Sequence, residues 1–101
     1  MNLEFYSLKK LKENILGIIG RYLDVKTWKI FFFGSRVKGD NFPSSDIDIG
    51  IEGPHELSSK IKLEIREELE RIPTLYKFDL VDFKTLGEDF KKEALKYIEY
   101  V

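Results

Sequence analysis

Two aspartates, Asp46 and Asp48, stand two residues apart in the stretch Asp46-Ile47-Asp48-Ile49-Gly50-Ile51-Glu52. The alternation has the two-residue period of a strand, with Ile47, Ile49 and Ile51 on one face and Asp46, Asp48, Gly50 and Glu52 on the other. Two ionised carboxylates side by side repel, and a sheltered one has its pKa raised. A divalent cation removes that conflict. Mg²⁺ in particular takes one or two protein carboxylates together with the phosphates of a substrate. The pair therefore reads as half of a metal site that awaits a phosphate ligand.

Gly34-Ser35 supplies the phosphate end. Gly34 closes an apolar run and permits a tight turn with close backbone approach. Ser35 then opens the next segment with a hydroxyl and free backbone N–H groups, a phosphate-binding combination, and it can equally serve as a helix N-cap. Arg36 and Lys38 follow and add positive charge, either as phosphate contacts or as solvated loop charges. Ser45, at the far end of the same connection, either orients the loop toward a nucleotide or simply enters the strand. A third carboxylate is offered by Phe78-Asp79-Leu80-Val81-Asp82. Asp79 and Asp82 fall on opposite faces of a strand; Asp79, in the middle of the apolar run, is the favoured ligand, and Asp82 reads as an exposed residue near the strand end. The plain alternative for Asp46 and Asp48 is a solvated edge strand without metal, and the nearby Gly-Ser turn tells against it.

The elements that position these residues are legible from periodicity. Leu8, Leu11, Ile15, Ile18, Ile19 and Tyr22 follow helical spacing over residues 8–23, and Leu57, Ile61, Ile65, Leu69 and Ile72 do so in a second helix ended by Pro73. Residues 28–34 read as a buried strand, 46–52 as the two-faced strand and 76–83 as a third. The connection 36–45 is rich in turn residues and opens with one helical turn. After Gly87 a last helix is expected to run to Val101, with Phe90, Ala94, Ile98 and Val101 as its buried stripe. Leu95, Tyr97 and Tyr100 fall partly outside that stripe, as partner contacts or as packing in a groove. The order predicts an α/β (α+β) fold, a small mixed sheet of three or more strands covered by helices, in one domain spanning residues 1–101. Trp28 reads as core or strand-edge packing rather than a base-stacking platform, and His55 as a residue near a helix start with no assigned role.

Composition narrows the function. With 17 Lys+Arg against 18 Asp+Glu, the chain has no bulk positive charge with which to hold nucleic acid, so a nucleic-acid partner is not expected. The chain has no cysteine, which excludes disulfides and thiolate metal sites. No apolar run approaches spanning length and the first residues are too charged for a signal peptide, so a cytoplasmic protein without a membrane partner is expected.

Gly34-Ser35, ten intervening residues, then Asp46-Ile47-Asp48 resembles the Gly-Ser-x10-Asp-x-Asp signature of the DNA polymerase β-like nucleotidyltransferases. Together with the later Phe78 to Phe83 segment, it is similar to the minimal nucleotidyltransferases, the small antitoxin partners of HEPN toxins. The resemblance covers residues 30–83 and leaves no room for the C-terminal substrate domain of larger relatives. It implies the polymerase β-like fold and Mg²⁺-dependent transfer of AMP from ATP to a hydroxyl, which in this family can be a tyrosine of a HEPN RNase. It further implies metal binding by Asp46, Asp48 and Asp79, the catalytic acids of a two-ion site, with nucleotide contacts from Gly34, Ser35, Arg36 and Ser45. A binding module that neutralises its toxin by occlusion is the competing expectation.

Overall fold

The computed structural model describes residues 1–42 and 44–101. Four strands form one sheet in the order β3-β2-β1-β4, with β1 at Lys29–Phe33, β2 at Ile47–Glu52, β3 at Phe78–Asp82 and β4 at Glu99–Tyr100. The helices are α1 (Leu8–Ile19), α2 (Ser35–Lys38), α3 (Ser59–Glu70) and α4 (Glu88–Ala94). β1 pairs antiparallel with both β2 and β4, whereas β2 and β3 are parallel. Parallel neighbours need a long crossover, and α3 supplies it. No helix among the described residues is long and apolar enough to cross a membrane.

The period-two pattern of β2 divides the molecule into two unequal cores. Ile47, Ile49 and Ile51 are fully buried with Ile30, Phe32 and Leu80 on the face covered by α1 and α3. Leu11, Ile15 and Ile19 of α1 and Ile65 and Leu69 of α3 recur every four residues and meet that face. Each of these helices begins at a serine whose hydroxyl accepts an otherwise unpaired backbone N–H, Ser7 from Lys10 and Ser58 from Ile61, both at 3.2 Å. Trp28 joins this core, as expected, and His55 sits in the bend before α3 with its ring edge-on to Trp28.

The other face carries a small aromatic core. Phe31, Phe33 and Phe83 stack edge to face, with Phe83 centred 4.8 Å from Phe31 and 5.0 Å from Phe33. Gly50 lies beneath them; a Cβ there would stand 2.7 Å from the Phe83 ring. Ala94 and Ile98 pack on the cluster from the chain's last segment.

That last segment departs from the expected helix. α4 stops at Ala94, and residues 99 and 100 pair with β1 as a fourth, edge strand. The Val101 N–H donates to the Ile30 carbonyl at 3.1 Å, and Lys12 holds the Glu99 carboxylate at 3.0 Å. The helical spacing of Phe90, Ala94, Ile98 and Val101 persists in the sequence, but the open edge of β1 offers backbone hydrogen bonds that a longer helix could not take. Phe90 is consequently exposed rather than part of a buried stripe.

Because Gly50 has no space for a side chain, Gly50→Ala should destabilise the protein by about 1–3 kcal/mol through overpacking. Urea unfolding should show a lower midpoint with an unchanged slope.

Candidate active site

β1 ends at Phe33 and the chain turns through Gly34 at φ +81°, a conformation open to glycine and costly for other residues. A Cβ on Gly34 would also collide with Oδ2 of Asp48. The missing side chain thus serves both the turn and the approach of a carboxylate. Gly34 is the N-cap of α2; Ser35, read from sequence as an alternative N-cap, is instead the first helical residue.

Asp48 lies across from Phe33 and beside Asp79, its partner in the parallel β2–β3 register. Its carboxyl is pushed up to about 6, first by burial and then by the charges of Asp79 and Asp46. Asp79 is exposed, and the register sets it on the same face as Asp48. Asp82 is on the opposite face and is buried, not exposed as the sequence suggested. Its Oδ2 accepts the Leu57 N–H at 2.7 Å and its Oδ1 the Lys84 N–H at 3.0 Å, so both oxygens are committed to backbone groups that no neighbouring strand or helix pairs.

A cavity of about 500 Å³ opens over these groups. Gly34, Ser35, Lys38 and Asp40 contribute one side, Asp48 and Asp79 the acidic part, and Phe33 and Val81 the sheet surface beneath. Phe90, Glu93, Ala94 and Tyr97 close it from α4 and the residues after it. Sequence reasoning did not foresee this wall. Its signal was the aromatic residue at 97 that fell outside the expected stripe.

The remaining candidates lie elsewhere. Asp46 stands just ahead of β2 and lines an adjacent depression with Phe5, Ser44, Leu75, Tyr76 and Lys77. Its charge still reaches Asp48. Arg36 is 3% exposed and turned from the cavity: its Nε donates to the Ser45 carbonyl at 2.9 Å, its guanidinium lies 4.7 Å from the centre of the Tyr76 ring, and Nη1 is 3.8 Å from the Glu4 carboxylate. The Ser45 hydroxyl accepts the Phe42 N–H at 2.9 Å. Arg36 and Ser45 therefore brace the connection 36–45, of which position 43 lies outside the described residues. Lys38, by contrast, reaches the cavity, with its ammonium 6.0 Å from the Tyr97 ring centre.

Among the described residues no three acidic or histidine side chains converge into a ready cation cage. Mg²⁺ asks for less, one or two carboxylates with phosphate and water completing its shell. The hard oxygen donors of Asp48 and Asp79, with an Asp48 carboxyl whose ionisation is suppressed by burial and by its acidic neighbours, fit such an ion.

Comparison with known proteins agrees with this geometry. The family described as "Polymerase beta, Nucleotidyltransferase" matches residues 6–100. A probable protein adenylyltransferase, MntA of Haemophilus influenzae, is 30% identical over 84 residues, which cover 81% of this chain and 74% of that protein. A toxin–antitoxin crystal structure with AMP-PNP superposes with a TM-score of 0.71 at 21% identity, covering 88% of this chain and 70% of the other. A complex of tri-AMPylated HEPN toxin with MNT antitoxin from Shewanella oneidensis gives 0.68 at 18%, covering 91% and 69%. At these identities the two structures establish the fold.

Two outcomes test the site's electrostatics. The native state holds the Asp48 proton more tightly than the unfolded chain, whose carboxyl titrates near 3.8, so metal-free stability should fall as pH rises from about 4 through about 6. Asp48→Asn should remove that loss: in EDTA its unfolding temperature should exceed the parent's at pH 7 and converge with it near pH 4. Asp82→Ala should cost about 1–3 kcal/mol, since it strands two backbone N–H groups, whereas Asp79→Asn should not lower the denaturant midpoint.

Proposed function

Because the chain belongs to the polymerase β-type nucleotidyltransferase family, we propose that it transfers AMP from ATP to a tyrosine hydroxyl of a HEPN-family toxin and thereby acts as that toxin's antitoxin. The observation that carries the reading is the juxtaposition of Asp48 and Asp79 beside a turn whose glycine leaves room for the carboxylate. Support for the partner comes from the adenylyltransferase relative and from the fold shared with antitoxins seen bound to HEPN toxins. Residues 1–101 act here as one nucleotidyltransferase domain, in the cytoplasm, where ATP is at hand.

In this reading Gly34 and Ser35 hold the phosphate tail of ATP, and Lys38 adds positive charge from the rim of the same cavity. Asp48 and Asp79 would hold Mg²⁺, and Asp46, which lines the neighbouring depression but whose charge reaches Asp48, would join them where one or two ions bind. Bound there, Mg²⁺ would offset charge on the attacking and leaving oxygens. Asp48, half-sheltered between two other acids, anchors the set. Asp79, the more exposed partner, orients the incoming hydroxyl and accepts its proton. The hydroxyl oxygen bonds to the α-phosphorus, the bond to the β-phosphate bridge breaks, and pyrophosphate departs. Arg36 and Ser45 act at one remove, by keeping the loop between the glycine turn and β2 in one shape.

The experiment is incubation with α-labelled ATP, Mg²⁺ and a HEPN-family toxin. Label should appear on the toxin and its RNase activity should fall. Asp46→Asn, Asp48→Asn and Asp79→Asn should each reduce transfer by at least about a hundredfold, beyond the ten- to hundredfold typical of groups behind the metal ligands. Full transfer by all three variants would refute the metal-site assignment. Neutralisation by Asp48→Asn without label would replace transfer by occlusion as the antitoxin mechanism.

A further inference from the structure

The cavity has two chemically distinct sets of lining residues. Gly34, Ser35 and Lys38 belong to the glycine turn and the short helix after it, whereas Phe90 and Tyr97 are aromatic residues of the segment that closes it. Both rings are more than half exposed, at 57% and 52%, and neither belongs to the aromatic core formed by Phe31, Phe33 and Phe83. A domain with a complete core gains nothing in stability from leaving two large rings in water. Resting on the nucleotidyltransferase reading, we propose that Phe90 and Tyr97 form the nucleobase subsite, against which the base of the bound nucleotide lies while its phosphates engage the Gly34-Ser35 turn.

Three observations favour a base over other occupants. The cavity is continuous from the glycine turn to Tyr97, and its volume of about 500 Å³ lies within the range of small-molecule sites. The base is the flat, largely apolar part of a nucleoside triphosphate, and an aromatic wall is its natural complement, because every base has a π-face. Lys38 links the two sets: its ammonium stands 6.0 Å from the Tyr97 ring centre, and it lines the cavity together with Ser35. A triphosphate drawing Lys38 toward Ser35 would free the face of Tyr97 for stacking. The two rings are thus residues that set nucleotide affinity, and they come from the one part of the cavity built outside the strands that carry the acids.

Equilibrium binding of ATP and of inorganic tripolyphosphate, each with Mg²⁺ and without any partner protein, separates the possibilities. Tyr97→Ala and Phe90→Ala should weaken ATP binding by on the order of tenfold or more, the usual loss for one stacked base. Both should leave tripolyphosphate binding within about twofold, and Tyr97→Phe should retain ATP affinity. Unchanged ATP affinity in both alanine variants would overturn the subsite and leave the nucleotidyltransferase reading intact. An equal loss for ATP and tripolyphosphate would also overturn it, since the wall would then act on the phosphate end or on the fold. Failure of the parent protein to bind either ligand would count against the subsite and the proposed function together.

Discussion

The half-burial of Asp48 beside a second carboxylate is the constraint on which the site turns. Parallel pairing of β2 and β3 sets Asp48 and Asp79 side by side, and burial first, then the charges of Asp79 and Asp46, push the Asp48 carboxyl up to about 6. A chain selected for stability alone would not keep that arrangement, because either acid could be replaced by a neutral residue on the same strand. The surrounding structure instead preserves it. Gly34 withholds a side chain where the Asp48 carboxylate must fit, and the sheet leaves that face open above the acids. A site that is unfavourable when empty has the most to gain from a cation and a phosphate.

The cost of that face is met by the other. Ile47, Ile49 and Ile51 are fully buried against α1 and α3, so β2 is held by one side while its other side is given to chemistry. The aromatic cluster below the acids serves a second purpose. Phe83 wedges between Phe31 and Phe33 over Gly50, giving α4 a place to dock and so raising the wall opposite the carboxylates. Glu52 and Lys91 form an ion pair between β2 and α4 that ties the same two elements; at a partly exposed site it contributes to orientation more than to stability.

Charged residues near the site divide by where their partners lie. Arg36 and Asp82 look in sequence like candidates for ligand contact, yet both are buried and bound to backbone groups. Arg36 stiffens the loop that leads from the glycine turn to the acids, and Asp82 caps the turn after β3 while accepting the Leu57 N–H ahead of α3. Their chemistry is structural because a buried charge must be paired where it stands.

The local patterns were sufficient for much of this. Alternation determined which faces Ile47 and Asp48 occupy, because side chains alternate along any strand. The four-residue spacing of Leu11, Ile15 and Ile19 determined α1, and the Gly-Ser turn with its ten-residue separation from Asp46 determined the family resemblance. Tertiary structure decided what those patterns could not carry. The choice between Asp79 and Asp82 as the neighbour of Asp48 depended on the register of β3 against β2, which is a long-range pairing. Residues 99 and 100 have helical spacing behind them, but they became a strand because β1 had an unpaired edge within reach. The aromatic wall over the cavity arose from the same event, since the chain had to leave α4 at Ala94 to reach that edge, and in doing so it set Tyr97 beside Lys38. Periodicity reports how a segment meets its own neighbours; it carries no information about which distant backbone will offer the better hydrogen bonds.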